Sequence, residues 1–154
     1  MGISAFLSPS DTLIDLRASD KTRLLQELSR RAADSLELPP ERIVAEILKR
    51  EELGSTGTGG GIAIPHGRLA GLDKPLGLFA RLAHPVDFDS IDERPVDIVF
   101  LLVAPEGAGA DHLKALARVS RLLRDRATCE KLRGSDTADA LYAVLTETAA
   151  SHAA

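Results

Sequence analysis

Cysteine and aromatic residues are scarce in this sequence. It contains one cysteine, Cys129, no tryptophan, one tyrosine and four phenylalanines. A single cysteine excludes a disulfide within the chain and a cysteine-based zinc site, and Cys129 is expected to be a small core residue. The few aromatic rings leave little surface on which bases or sugars could stack.

The sequence also lacks an excess of basic charge and a long hydrophobic run. Its net charge at pH 7 is −4, whereas nucleic-acid-binding domains are usually basic. The longest near-apolar run, 96–105, is interrupted by Asp97 and is much shorter than the roughly 20 residues that a membrane-spanning helix needs. Residues 1–16 carry acids and no basic segment ahead of an apolar one, unlike a signal peptide. We therefore expect no nucleic-acid partner, no membrane insertion and a cytoplasmic location.

The length and the patterning of apolar residues are typical of one α/β domain. We expect a single domain over residues 1–154, with its core at about 12–146 and a frayed tail at 148–154. Helical patterns alternate with strand patterns, which favours the α/β class. Strands are predicted at 12–16, 76–82 and 98–103; the last is a continuous apolar run, typical of a strand buried on both faces.

Capping residues and apolar spacing predict the helices. The first should begin after the N-cap Ser19 and end near Leu36, and the second should begin near Pro40 and place Arg50 in its last turn. The last helix should begin near Ser135 or Asp136 and include Leu141, Val144 and Leu145.

A further helix is predicted from the cap Asp111 to about Arg124. Its predicted apolar face consists of Leu113, Leu116, Ala117, Ser120 and Leu123. Its solvated side is predicted to carry the basic cluster Arg118, Arg121, Arg124 and Arg126.

Six of the twelve glycines lie between residues 54 and 67. Glycine-rich loops can bind phosphate through converging backbone N–H groups, but neither the P-loop pattern nor the dinucleotide pattern GxGxxG is present. The GxSxG and HExxH motifs are absent as well, and the four histidines lack metal-ligand spacing. The loop by itself fits either a structural turn or an anion site.

The segment Ile64-Pro65-His66-Gly67 holds a histidine in a defined backbone position. Pro65 fixes its own φ and Gly67 frees the chain just after His66. An imidazole with an ordinary pKa near 6.5 is mostly neutral at pH 7, and one ring nitrogen is then free to act as a nucleophile. His84 and His152 match no such pattern. His84 is expected to be a structural or surface residue, and His152 lies in the tail.

Two longer segments resemble a known family. The runs LGSTGTGGGIAIPHGR and PVDIVFLLVAPEGAGADHLKALARVSRLLRD are similar to the signatures of the enzyme IIA proteins of the bacterial phosphoenolpyruvate-dependent phosphotransferase system, fructose/mannitol class. The resemblance covers about Thr12 to Leu145. It implies a single α/β domain with a mixed sheet covered by helices and a phosphotransferase component that relays phosphoryl groups.

The resemblance also implies a set of site residues. His66 matches the phosphorylated histidine, expected to carry the phosphoryl group on its tele nitrogen. His112 matches a second histidine beside the phosphoryl group, and Arg50 matches a basic residue of the same site. The phosphate-binding residues would be Ser55, Thr56, Gly59 and Gly61. Neither a metal nor an organic cofactor is implied.

The opening LGSTG and the free-standing length resemble the nitrogen-regulatory branch of that family. The expected donor is a His-phosphorylated carrier protein of the HPr or NPr kind, and the expected targets are regulated proteins such as potassium-transport or sensor-kinase systems. Gly60 fits the sugar-transport type equally, which would pass the phosphoryl group to a IIB domain. A non-catalytic interaction module and a phosphate-binding protein are the remaining alternatives. The sequence leaves the oligomeric state open.

Overall fold

A mixed sheet with helices on both faces carries the site. The computed structural model describes the backbone of residues 2–153 and the side chains of residues 2–147. Within that part, the strands are β1 (Thr12–Leu16), β2 (Gly57–Gly59), β3 (Ile62–Ala63), β4 (His66–Leu69), β5 (Leu76–Val86) and β6 (Val96–Pro105). The helices are α1 (Lys21–Leu36), α2 (Pro40–Glu52), α3 (Ala110–Arg124), α4 (Arg126–Arg133) and α5 (Ala138–Ala153). The α/β class expected from the sequence is confirmed.

The strand order is β1-β5-β6-β3-β2, and β4 also pairs with β6. The pairs β1–β5, β3–β6 and β4–β6 are parallel, whereas β5–β6 and β2–β3 are antiparallel. β6 is therefore the central strand, as its continuous apolar sequence predicted. Because β4 lies parallel to β6, the first residue of β4, His66, is paired with Leu102 at the middle of the sheet.

Side chains of β6 alternate between two cores. Val99, Leu101 and Val103 pack in the core beneath α1 and α2. Ile98, Phe100 and Leu102 pack in the core beneath α3, α4 and α5. This two-residue period is the one a strand imposes on its side chains. No helix within residues 2–153 is both long and apolar enough to cross a bilayer.

Several predicted boundaries were wrong. The N-cap of α1 is Asp20, whose carboxylate accepts from the Arg23 backbone N–H at 2.8 Å, and not Ser19. The N-cap of α3 is Gly109, so Asp111 lies inside the first turn. α5 begins at Ala138, later than predicted, and α4 was not predicted as a separate helix. Asp125 caps α4. Because Asp125 is the one residue between α3 and α4, the sequence pattern showed no separate helix there.

The buried face predicted for α3 was right at Leu123 and wrong at Leu113 and Ala117. The buried residues are His112, Ala115, Val119, Leu122 and Leu123, whereas Leu113 is 62% exposed. Ala117 is exposed, and Leu116 and Ser120 are half-buried. The buried face of α3 is shifted by about one residue from the predicted face. Its first position is occupied by His112, a polar residue that an apolar pattern does not include. Cys129 is buried, as expected. Of the basic cluster, Arg121, Arg124 and Arg126 are exposed, as predicted, whereas Arg118 is half-buried.

Two predictions about the remaining segments have different outcomes. β5 extends to Val86, beyond the predicted end at Leu82, and its residue His84 is exposed as expected. The predicted fraying of residues 148–154 and the placement of His152 fall outside the side chains that the structure describes, so both stay predictions.

Candidate functional site

The tautomer of His66 is set by its own backbone. Its Nδ1 lies 2.8 Å from the carbonyl oxygen of Ile64. A carbonyl oxygen only accepts hydrogen bonds, so Nδ1 carries the proton and donates it. In the neutral ring, Nε2 then keeps its lone pair and is the nucleophilic nitrogen.

A cavity of about 240 Å³ contains His66. Its walls come from the end of α2, the loop that follows, β2, the segment before β4, and α3. The lining residues are Arg50, Ser55, Thr56, Thr58, Ile64, His66, Leu116 and Ser120. The structure therefore brings four of the predicted site residues, Arg50, Ser55, Thr56 and His66, into one concavity.

His66 is held neutral by its surroundings. Burial lowers the pKa of its imidazole, and the positive charge of Arg50 lowers it further. The hydrogen bond to Ile64 and the charge of Glu51 oppose that shift without reversing it. Since the net pKa lies below the ordinary value near 6.5, the unprotonated Nε2 predominates at pH 7.

His112 lies beside His66 from the first turn of α3. The two ring centroids are 5.8 Å apart, with the planes tilted by 53°. Burial lowers the pKa of His112 to about 4, and the electrostatic interactions of its protonated form with His66 and with the guanidinium of Arg68 contribute. His112 is 4% exposed, and its Nδ1 has no hydrogen-bond partner among the described residues. His112 is thus a neutral imidazole with an unused polar atom, set next to the candidate nucleophile.

Arg50 lies in the last turn of α2, as predicted. Its Nη1 donates to the carbonyl oxygen of Gly54 at 2.9 Å, which ties the guanidinium to the start of the glycine-rich loop. A guanidinium has five N–H donors, so this bond leaves donors for an anion in the cavity. The permanent positive charge of Arg50 acts on the His66 ring and lowers its pKa.

The two hydroxyl residues of the loop have different roles. Ser55 Oγ donates to the carbonyl oxygen of Phe88 at 2.7 Å and accepts from the Gly57 N–H at 3.0 Å. Its hydroxyl therefore shapes the loop. Thr56 Oγ1 is buried and has no partner among the described residues, although Thr56 lines the cavity. Buried hydroxyls are normally hydrogen-bonded, so Thr56 has an unused donor at the site.

Glu51 was not predicted as a site residue. Its carboxylate accepts from the Thr56 backbone N–H at 3.1 and 3.2 Å and pairs with Lys21 Nζ at 3.0 Å. The Glu51 side chain is 5% exposed, so a buried carboxylate holds the loop backbone at Thr56 in place. The only sequence signal was its place two residues before the LGSTG run, and Glu52, which lies directly before that run, is equally acidic.

The structure does not bring Gly59 and Gly61 to the His66 cavity. Gly59 lines a different cavity, near the tip of the β2–β3 hairpin and further along α3. A Cβ on Gly61 would lie 2.7 Å from Arg133 Nη2 and 2.8 Å from Asp97 Oδ1. Both glycines have positive φ, so their place in the sequence follows from the turn.

Family comparison gives one match across nearly the whole chain. Residues 5–148 match the family described as phosphoenolpyruvate-dependent sugar phosphotransferase system, EIIA 2. The signatures that suggested this family from the sequence both lie inside the matched region. The resemblance stated from the sequence is therefore confirmed.

Several curated relatives of similar length are nitrogen regulatory proteins. The one from Bradyrhizobium diazoefficiens is 55% identical over 146 residues, covering 94% of this chain and 95% of that protein. The one from Escherichia coli is 39% identical over 147 residues, covering 95% and 90%. A fructose-specific EIIABC component from Bacillus subtilis is 32% identical over 148 residues, but these cover only 23% of that protein.

A solved structure agrees with these relatives. Nitrogen regulatory protein IIA-Ntr from Neisseria meningitidis superposes with a TM-score of 0.89 at 35% identity, over 94% of this chain and 99% of that one. The mannitol IIA structure from Escherichia coli has a TM-score of 0.73 at 21% identity and shares the fold. The chain belongs to the EIIA type-2 family of the phosphoenolpyruvate-dependent sugar phosphotransferase system, and within it to the nitrogen-regulatory branch.

Proposed function

We propose that this chain is a phosphohistidine carrier that accepts a phosphoryl group on Nε2 of His66. The observation that carries the proposal is the hydrogen bond from His66 Nδ1 to the Ile64 carbonyl oxygen. It leaves Nε2 as the free nitrogen of a neutral ring in a cavity that also contains Arg50 and Thr56. The donor is a His-phosphorylated carrier protein of the HPr kind.

The transfer exchanges one nitrogen–phosphorus bond for another. The Nε2 lone pair of His66 forms a bond to phosphorus while the bond from phosphorus to the donor imidazole breaks. The electron pair of the broken bond stays on the donor nitrogen. Because the attacking and leaving groups are both imidazoles, the step is close to balanced in free energy, which suits a relay.

Three groups of the site can stabilise the phosphoryl oxygens. Arg50 supplies a planar cation suited to phosphate, and the free Thr56 hydroxyl supplies a neutral donor. Neutral His112 supplies one ring N–H from beside His66. Phosphoryl transfer depends chiefly on positioning and charge stabilisation, and these donors come from three separate elements fixed by the sheet.

Two exposed apolar side chains lie close in the sequence to site residues and suit docking of the donor protein. Leu53 follows the last turn of α2 and is 84% exposed, and Leu113 adjoins His112 and is 62% exposed. The two flank the site residues Arg50 and His112 in the sequence. An apolar patch with a polar rim is the usual composition of a protein–protein contact.

The phosphorylated and free forms would present different surfaces to regulated partners. A phosphoryl group adds negative charge and acceptor oxygens beside His66. The matched relatives are nitrogen regulatory proteins, which favours regulation over transport as the outcome. Potassium-transport and sensor-kinase systems are the proposed target classes, and the cytoplasm is the proposed location.

Transfer onward to a IIB domain is the second candidate. A mannitol enzyme IIA from Escherichia coli, sharing this fold at 20% identity, has been solved in complex with its phosphorylated enzyme IIB. A purified sugar-type IIB protein that discharges phosphorylated His66 within the carrier's turnover time would favour transport. Lack of discharge, with a competent donor, would favour regulation.

Intact-mass measurement tests the relay directly. The chain is incubated with phosphoenolpyruvate, enzyme I and the cognate carrier protein, beside the variants His66→Ala and His84→Ala. We expect an acid-labile gain of ~80 Da in the wild type and in His84→Ala, whose histidine is exposed on β5, and no gain in His66→Ala. Absence of the gain in the wild type, with the carrier itself phosphorylated, would overturn the relay and favour an interaction module.

A further inference from the structure

A second cavity, of about 350 Å³, lies at the tip of the β2–β3 hairpin. Four arginines line it, and each comes from a different position in the fold: Arg94 from the loop before β6, Arg124 from the end of α3, and Arg126 and Arg133 from the two ends of α4. We propose that this cavity binds a small anion that carries two or more phosphoryl groups.

The positive charge at this cavity is only partly offset. Arg133 pairs with Asp97 at 2.8 Å. The Asp92 carboxylate accepts from the Gly60 N–H at 2.9 Å, which lowers the pKa of that carboxyl, and the charge of Arg94 lowers it further. No acidic side chain is among the described residues that line the cavity.

The shape and lining of the cavity restrict the ligand. Its volume is at the lower end of the range for small-molecule sites, roughly 300–1,000 Å³. No aromatic ring is among the described lining residues, so a nucleobase would find nothing to stack on. One guanidinium can bind two phosphate oxygens at once. Four guanidinium groups around one cavity therefore suit an anion with two or more phosphoryl groups better than a single phosphate.

The hairpin links this cavity to His66. Thr58 lines both cavities. Arg133 Nη2 donates to the Gly60 carbonyl oxygen at 2.9 Å while the same guanidinium pairs with Asp97. An anion that attracts Arg133 would weaken its hydrogen bond to Gly60, and Thr58 would move together with the hairpin. Any effect on phosphoryl transfer rests on the proposed function, but the binding itself does not.

Calorimetric titration with inorganic pyrophosphate, at about 50 mM salt so that screening is limited, tests the site on the unphosphorylated protein. The test variant combines Arg124→Gln and Arg126→Gln. The matched control combines Arg118→Gln and Arg121→Gln, which removes the same charge from two residues of α3 that do not line the cavity. Arg94→Gln provides a second test variant in a loop, where helix stability is not involved.

We expect saturable binding that weakens at least about tenfold in the test variants and less than about twofold in the control, with orthophosphate binding about tenfold more weakly than pyrophosphate. The amide resonance of Thr58 should shift on binding. Equal weakening in test and control variants would show diffuse charge attraction and overturn the site. The absence of saturation would overturn it as well, and equal affinity for orthophosphate would overturn the assignment to a multiply phosphorylated ligand.

Discussion

His66 donates its Nδ1 proton to the carbonyl oxygen of Ile64, two residues earlier in the chain, at 2.8 Å. This contact involves backbone on one side, so it persists in any variant that keeps the fold at β4. We predict that the phosphorylated protein carries its phosphoryl group on Nε2 only. Nitrogen-15 and phosphorus-31 spectra of histidine-labelled protein separate the two isomers, and a signal from Nδ1-linked phosphorus would contradict the prediction.

Thr56→Val should separate catalysis from stability. The buried Thr56 hydroxyl has no partner among the described residues, so its replacement by a methyl group should leave the free energy of unfolding unchanged or raise it by up to about 1 kcal/mol. If the hydroxyl stabilises the phosphoryl group, the rate of phosphorylation of His66 should fall about tenfold, equivalent to one hydrogen bond. Quench-flow transfer from the phosphorylated carrier and urea unfolding measure the two quantities. A drop in stability with an unchanged rate would assign the hydroxyl a structural role.

Glu51→Gln should destabilise the loop that forms the cavity wall. The amide oxygen can still accept from the Thr56 N–H, but the ion pair with Lys21 is lost. We expect the free energy of unfolding to fall by about 1–2 kcal/mol, because Lys21 and Glu51 are both largely buried. Glu52→Gln makes the same chemical change at an exposed neighbour and should change it by less than about 0.5 kcal/mol. Similar losses in both variants, measured by urea unfolding, would show that the buried pair contributes little.

The sequence predicted the helices and strands whose apolar spacing or composition is distinctive. β6 was recognisable because both of its faces are apolar, and α2 because Pro40 begins it. The signature around His66 and the block with His112 pointed to the two histidines, which the fold brings to a centroid distance of 5.8 Å. These features depend on local residues, and a local pattern was sufficient to find them.

The parts that the sequence did not predict depend on contacts between distant segments. Glu51 acts through Lys21, 30 positions earlier, and nothing local distinguishes it from Glu52. The rotation of α3 is set by packing His112 against the sheet, which overrides the apolar stripe that includes Leu113. Gly61 and the carbonyl oxygen of Gly60 contact Arg133 of α4, a helix that the sequence did not predict.

Gly77→Ala should test the close packing of β5 against β6. A Cβ at Gly77 would lie 2.7 Å from the Phe100 ring and 3.1 Å from the Phe6 ring, and both rings are buried. Overpacking a core of this kind lowers the free energy of unfolding by about 1–3 kcal/mol. Gly107→Ala is the control, because a Cβ there meets nothing within 4 Å, and we expect a change within about 0.5 kcal/mol. Equal stability of the two variants in urea would mean that the rings move aside freely.

The depressed pKa of His112 should make the protein less stable in mild acid. Its pKa is about 4 in the folded chain and near 6.5 when unfolded, so between these values the unfolded state binds a proton that the folded state does not. Stability from the neutral ring is therefore complete above pH 6.5 and is lost as the pH falls toward 4. We expect a loss of roughly 2 kcal/mol between pH 7 and about 4.5 that His112→Gln does not show. Carboxylates elsewhere titrate in both proteins and cancel in the comparison. Parallel stability curves for the two proteins, from urea unfolding at each pH, would contradict the assignment of His112 as a buried neutral imidazole.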